Sequence, residues 1–487
     1  MPPLDLTTPP SSRPVLHRGI NRLGFFALAF GSMIGVGWVT ALATWLHAAG
    51  PLGAVIGFLA GGILMLAIGL CYAELCAMLP VAGGEVAYAY LAFGTGKAFL
   101  VGWFLAFGYL SVSAFEAISV GRVLSYLVPG LDLWPAYSVG GEVVYGSHLV
   151  LALLTTGVIT WFNYRGVRGA ARLQTVLTVG FVAVTLTFIV AGFVRGSSVN
   201  AEPWFVGQGS GGILAGIATV FVTAPFWFVG FDTIPQGAEE AEQSVTPRSM
   251  SLMILLSIVG ATLFYCALIW SVAHAAPWQQ TAAADMPAAA AFRISLGSPV
   301  LADLVLVAAL LGLLTSWNGF FLAGSRVLFS LGRAHIAPPS WGSTHPIHAT
   351  PARAVLVTGA LTMTGAFLGR GAMVAFIDVG SFCIALAFMG VTFSLSRLRR
   401  DRPNFPRPYR IPLGRVIPTF AGLGALLILI VMVVPGSGAA LVWPLEWGLL
   451  LAVMALGAIA WWAGSRGRQT IDEGARARRI LGEFAEG

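Results

Sequence analysis

Charge is scarce in this chain. Asp, Glu, Lys and Arg make up 10% of its 487 residues and hydrophobic residues 57%, against about 25% charged residues in ordinary soluble domains. A string of soluble domains is therefore excluded. Lysine is almost missing, since 26 of the 27 basic residues are arginine, a bias that reads as genome composition rather than recognition chemistry. Four cysteines occur (Cys71, Cys76, Cys266, Cys383), all inside apolar runs and without metal-ligand spacing. Neither a disulfide framework nor a metal site is expected, and the thiols read as small buried hydrophobes. The histidines (17, 47, 148, 274, 335, 345, 348) lie mainly in tails, loops or the ends of apolar runs. No His/Asp/Glu cluster is spaced for metal or nucleophilic catalysis, so an enzyme is not expected. A secretory signal is not expected either, because a polar stretch of 22 residues precedes a first apolar segment too long for a signal h-region.

What the chain has in abundance is apolar runs long enough to span a bilayer. They are predicted at 23–47, 52–79, 96–127, 147–164, 170–195, 212–243, 249–275, 296–331, 352–368, 372–398, 415–435 and 440–463, twelve spans numbered here 1 to 12. With the N-terminus inside, the cytoplasmic segments hold 23 of the 27 basic residues, and only Arg122, Arg195, Arg293 and Arg370 fall outside. The positive-inside rule then places both termini in the cytoplasm, in the cytoplasmic (inner) membrane. The net charge of +7 is topogenic, with a minor contribution from anionic lipid; no nucleic-acid partner is implied. The Pro/Ser/Thr-rich residues 1–18 read as disordered. Residues 469–487 read either as a short amphipathic helix on the inner leaflet or as a solvated tail.

Two spans are irregular. Span 1, "FFALAFGSMIGVGWVTALATW" (25–45), carries Gly31, Gly35 and Gly37 at its centre. Glycine costs about 1 kcal/mol per residue relative to alanine inside a helix, and unwound backbone at membrane depth survives only where protein or a cavity surrounds it. In span 6, Pro225, Gly230 and Pro235 interrupt an apolar run; proline removes a donor and clashes with the preceding turn. The two breaks lie five spans apart, and because five is odd a second unit beginning at span 6 enters the membrane inverted. The predicted fold is therefore an all-α polytopic membrane protein of 12 transmembrane helices, an inverted five-plus-five repeat with broken helices 1 and 6, plus two extra helices, its site lying between the breaks. The expected divisions are an N-terminal tail (1–22), the first repeat (23–195), the second (212–398), spans 11 and 12 (415–463) and a C-terminal tail (464–487).

Six motifs, in order and at the right spans, carry a resemblance: "GSMIGVGW" (31–38), "CYAELCAMLPVAGGEVAYAYLAFG" (71–94), "NYRGVRGAARLQ" (163–174), "GFDTIPQGAEEA" (230–241), "GSRVLFSLGRAHIAPP" (324–339) and "RPYRIP" (407–412). Over roughly residues 20–435 the chain resembles the amino acid–polyamine–organocation (APC) superfamily of permeases. The resemblance implies that the substrate's carboxylate sits on free amides at the span 1 break and its ammonium on carbonyls of spans 1 and 6, following the partial charges of half-helix ends. It places Ser32, Met33, Gly35, Val36, Gly37 and Tyr109 with Phe226, Trp227, Phe228, Val229, Gly230 and Phe231 at the site, Phe226 or Phe231 being the favoured gate. The competing reading of the span 1 glycines is close helix packing.

Buried acids need a reason, because a charge at the bilayer centre costs roughly 2.5–3.5 kcal/mol or more. Glu116 lies mid-span 3 on one helical face with Tyr109 and Ser113; it reads as part of an interhelical hydrogen-bond network or as a proton- or cation-binding residue lining the path. Asp232 either holds an amine or a proton, or caps the inner half of span 6. Glu74 reads as a partner for loop amides or arginines, Asp303 and Asp378 as hydrated, and Glu239, Glu240 and Glu242 as solvated. Some proton-dependent relatives place a lysine on span 5 beside the span 1 break; here "TVGFV" (178–182) stands there instead. Thr315 and Ser316 are candidate Na⁺ ligands, or else bond back to their own turn. The implied function is secondary active transport of an amino acid or related small amine by alternating access, ion-coupled through H⁺ or Na⁺, with no cofactor. An amine or polyamine exchanger and a transporter-like amino acid sensor are the alternatives. Oligomeric state stays open.

Overall fold

The computed structural model of the chain describes residues 13–437 and 439–486. The chain is helical almost throughout, because in lipid a helix satisfies every backbone donor and acceptor within its own segment. The first interrupted span consists of α1 (Arg22–Met33), started by Asn21, whose side chain accepts from Gly24 N at 2.8 Å, and α2 (Gly37–Thr40). Helix α3 (Leu42–Met78) bends at Gly50–Pro51, where the chain turns back. The short α4 (Gly84–Phe93) and the long α5 (Thr95–Leu127) follow. A hairpin of β1 (Pro135–Val139) and β2 (Glu142–Tyr145) leads into α6 (Gly146–Arg165) and α7 (Val167–Arg195).

The second interrupted span is α8 (Gly209–Val222), α9 (Ala224–Phe228) and α10 (Thr233–Gly237). Helix α11 (Pro247–Ala275) is followed by the short α12 (Trp278–Ala282) and α13 (Pro287–Leu296), then by α14 (Pro299–Arg333). The remainder is α15 (Ala352–Ala366), α16 (Met373–Asp401), α17 (Val416–Val433), α18 (Leu445–Ala463), α19 (Ser465–Thr470) and α20 (Glu473–Leu481). Among the described residues nine helices are long and apolar enough to cross a membrane.

Packing separates the helices into two groups. Helix α11 packs on α1 and α3, and α3 on α8 and α9, while α5 and α14 lie side by side with α15 on both and α16 on α5; α1 also packs on α7 and α14 and so joins the two groups. The β hairpin, turning through Gly140–Gly141, departs from the all-α expectation. It sits in the connection between the third and fourth spans, where the sequence analysis assigned no structure.

Both tails also differ from expectation. The disorder expected at 1–18 falls partly on residues outside the described ones. Within the described residues, Leu16 and Ile20 are buried, and Gly19 N and Ile20 N donate to Glu240 O at 2.8 and 3.0 Å. The C-terminal helix α20 turns its apolar face to protein. It docks on the arginine-rich end of the bundle with Ala477, Ile480 and Leu481 buried. Tyr90 donates to Glu473 Oε1 at 2.7 Å, Arg13 to Arg479 O at 3.2 Å, and Arg479 pairs with His335. An apolar face needs cover, and the bundle supplies it, with α14 packed against α20. Fully burying one Leu or Ile is worth roughly 1.5–3 kcal/mol, so a chain truncated after Thr470 is expected to melt several degrees below the full one. Fluorescence melting in detergent reads this, and an unchanged transition would show that the helix adds no stability.

Candidate functional site

The break in the first span is three residues long, Ile34–Val36. Ile34 N still donates to Phe30 O, and α2 restarts at Gly37. A helix start leaves its first N–H groups without intrahelical partners, and a helix end leaves its last carbonyls so. Here the amide of Val36 donates to Glu116 Oε1 at 3.4 Å. The carbonyls ending α1 are met by side chains: Thr315 Oγ1 donates to Gly31 O at 3.1 Å and Tyr265 OH to Met33 O at 2.8 Å. The break in the second span is Val229–Asp232. Val229 N donates to Pro225 O, and Gly230 N turns away to Asp232 Oδ1 at 2.7 Å. The carbonyls of Phe226, Trp227 and Phe228 are thus left without the amides of a continuing turn.

The two breaks touch. Gly230 adopts φ +136°, a conformation that L side chains rarely take. A Cβ there would lie 2.7 Å from Met33 N and 3.0 Å from Ser32 Cβ. A methyl at Gly35 would overlap Glu116 Oε1 and press on Ser316 Oγ at 2.9 Å, and one at Gly37 would run into the Trp227 ring. The packing reading of these glycines and the site reading therefore describe the same atoms: close approach is what brings the broken backbones together.

Helix α5 serves both breaks. Tyr109 OH donates to Asp232 Oδ2 at 2.8 Å, and Glu116, two turns further, takes the Val36 amide; Ser113 between them bonds back to Tyr109 O. Asp232 stands at the N-cap position of α10 but makes no side-chain cap bond, so the capping reading is corrected: its carboxylate faces Gly230 and Tyr109 instead. Thr315 Oγ1 reaches its own turn, Gly312 O at 2.8 Å, as well as Gly31 O, and Ser316 sits beside Gly35 and Glu116.

Among the aromatics, Phe226 packs edge-on to Phe115 (5.7 Å) and Trp227 (5.1 Å), and Trp227 meets Trp45 (5.0 Å). Phe228 lies toward Phe58 and Tyr265. Phe231 is fully buried between Tyr72 (5.2 Å) and Phe388 (5.4 Å), on the far side of the break from Phe226, which leaves Phe226 as the ring placed between the span 3 face and the break.

Several residues contradict their expected surroundings. Glu240 is not solvated: it is 1% exposed and pairs bidentately with the equally buried Arg326, Nε–Oε2 2.8 Å and Nη2–Oε1 2.9 Å. Glu239 bridges Arg333 (3.0 Å) and Arg13 (3.2 Å). Glu242 is half-buried. Asp378 is half-buried and faces the Glu446 carboxyl, and Asp303 is exposed. Glu74, as expected, is held by Arg399, Arg407 and the Ile411 amide.

Others were missed. At the position where a span 5 lysine was absent, Gln174 Nε2 and Thr178 Oγ1 donate to Ala27 O at 3.2 and 3.3 Å. Gln174 Oε1 accepts from Asn318, and Asn318 Oδ1 from Asn163. Neutral donors thus tie α7 and α14 to the middle of α1. Two polar residues spaced i, i+4 on an apolar helix were the available signal. Buried Glu85 on α4, which bonds Gln236, was also passed over; burial first, then nearby Asp232, pushes its pKa well above the usual carboxyl range. Among the described residues no group of three or more His, Cys, Asp or Glu could hold a metal ion.

Interrupted spans that meet in the buried interior of a multi-pass helical bundle are an architecture of membrane transporters, and the proteins this chain is similar to are transporters, not enzymes. The family model for amino acid permeases matches residues 20–459, and the chain belongs to that family, within the APC superfamily. It is similar to the branched-chain amino acid permease BcaP of Bacillus subtilis, at 27% identity over 88% of this chain and 90% of that one. The methylthioribose transporter of the same organism is 25% identical over 85% and 88%. The vacuolar cationic amino acid transporter 4 of Arabidopsis thaliana is 28% identical over 80% of this chain and 64% of its own.

Proposed function

We propose that this protein is a secondary active transporter that carries amino acids across the cytoplasmic membrane by alternating access, with twelve spans and both termini in the cytoplasm. The observation that carries the reading is the contact between the Ile34–Val36 and Val229–Asp232 breaks, served on both sides by α5. An inverted repeat is supported by a matching order in each half: α4, Gly94 at φ +84° and the 33-residue α5 in the first, and α13, Gly297 at φ +63° and the 35-residue α14 in the second.

In this reading the substrate's carboxylate takes the Val36 amide, displacing Glu116 Oε1, and its ammonium meets the carbonyls of Phe226, Trp227 and Phe228. Met33, Val36, Phe226 and Trp227 give the apolar walls for a side chain. The group containing α1, α3, α9 and α11 then rocks against α5 and α14. At the arginine-rich end, Glu240–Arg326 and the Arg13–Glu239–Arg333 bridge must part for inward opening. A proton on Glu116 couples the cycle; Na⁺ between Thr315, Ser316 and span 1 carbonyls is the alternative.

The second reading, an amine exchanger, is favoured by one observation: a protein carboxylate already occupies the Val36 amide, which leaves a substrate without a carboxylate nothing to displace. Counterflow in proteoliposomes preloaded with L-leucine, with isoamylamine (leucine lacking its carboxylate) as competitor, separates the two. Leucine exchange that the amine does not inhibit is expected. Full inhibition by the amine would favour the second reading, and binding without counterflow would favour a sensor. Imposed pH or Na⁺ gradients then identify the coupling ion.

A further inference from the structure

At the end of the bundle opposite the Glu240–Arg326 pair lies a cavity of about 430 Å³ between the end of α5, the β hairpin, the start of α6 and the loop before α13. That volume suits a small metabolite. Most of its charges are satisfied. Asp132 pairs with His148 at 2.8 Å, and Arg370 bridges Glu142 (3.8 Å) and Asp285 (3.6 Å). Tyr126 donates to Asp285 Oδ2 at 2.6 Å; that bond first, helped by Arg370 and Arg122, holds the Asp285 carboxyl below its usual pKa range.

Arg122 is the exception. Its Nη2 donates to the Asp285 carbonyl at 3.3 Å, and its buried Nε has no hydrogen-bond partner. Among the described residues no carboxylate lies within ion-pair distance of it. Arg122 shares a helical face with Phe115 and Ile118, spaced i, i+3, i+7. Ile118 also lines the cavity, and Phe115 packs on Phe226 at the break. Seven residues of helix are about 10 Å, so the guanidinium stands two turns above the Phe115–Phe226 contact.

We propose that this cavity is an entry site for α-amino acids, in which Arg122 receives the carboxylate while the partly exposed acids Asp132, Glu142 and Asp285 receive the ammonium, before the substrate passes Phe226 to the break. A planar guanidinium with an unused N–H matches a carboxylate's two oxygens. The inference rests on the transport reading above. It makes Arg122 a capture residue for this face, because substrate arriving from this end meets it first and substrate leaving by this end meets it last.

The test is initial-rate L-leucine uptake by oriented proteoliposomes of wild type, Arg122→Gln and Arg122→Lys. For Arg122→Gln we expect KM from this face to rise about 10-fold with kcat within twofold, as when a residue acts in capture rather than translocation. Arg122→Lys should fall between. KM from the opposite face and the absence of inhibition by isoamylamine should not change. An unaltered KM from this face, or an equal rise from both faces, would overturn the entry site while leaving transport intact. A melting temperature equal to wild type shows that the variant is folded; were Arg122→Gln to melt lower, the Lys variant carries the comparison. Wild-type vesicles that exchange no leucine would instead sink the transport reading, and this inference with it.

Discussion

Gly35→Ala is expected to abolish transport while leaving a folded protein. The new methyl would overlap Glu116 Oε1 and lie within 2.9 Å of Ser316 Oγ, so the break must shift relative to α5. A displacement of about 1 Å at a preorganised site costs on the order of 100-fold in rate, whereas overpacking a buried position costs about 1–3 kcal/mol of stability. Uptake should therefore drop by about two orders of magnitude with a modest fall in melting temperature. Pairing it with Glu116→Ala removes the overlapping oxygen. If the clash is the cause, the double variant should melt higher than Gly35→Ala alone, since residues in contact are non-additive. Retention of half the wild-type uptake by Gly35→Ala would refute the placement of the site at this break.

The second large effect is expected at Arg326. Its side chain is fully buried and its bidentate partner Glu240 is 1% exposed. Removing one member of a buried pair strands the other charge and costs about 3–5 kcal/mol, whereas replacing both by apolar groups is often neutral. Arg326→Ala should therefore express poorly and melt well below wild type, and Arg326→Met with Glu240→Leu should recover most of the melting temperature. Thermal melting of the purified proteins checks this. An Arg326→Ala variant as stable as wild type would mean that the pair contributes nothing to the stability of the fold. If the pair also gates inward opening, the apolar double variant should be stable yet altered in its rate of substrate release.

The sequence made the breaks legible because glycine and proline act locally: they weaken a helix whatever surrounds it. The structure places the breaks at Ile34–Val36 and Val229–Asp232, inside the segments marked by Gly31–Gly37 and Pro225–Pro235. Glu116 could be suspected for a similar reason, since a carboxylate on an apolar helix face always needs a partner. Which partner it has was not legible, because the Val36 amide is 80 residues away in the chain. Glu240 was misread as solvated because its position at the end of a span is compatible with water. Only the fold shows that Arg326, 86 residues later, covers it.

The same division runs through the rings and the tails. Composition announced aromatic bulk around span 6, but Phe226 and Phe231 separate only in the fold, where Phe226 meets Phe115 of α5 and Phe231 meets Tyr72 of α3. Helix α20 has an apolar face that any amphipathic helix would show, and whether lipid, water or protein covers it is decided by what the bundle, α14 included, presents to it. By itself, then, the sequence determined that this is a polytopic helical membrane protein with two weakened spans and uncompensated acids, because apolar length, helix breaking and charge burial are local costs. The tertiary structure decided that the breaks meet, that Glu116 and Asp232 face them, that Gln174 and Thr178 donate to Ala27 O, and that Arg122 stands without a carboxylate, because these depend on which distant atoms are brought within a few ångströms.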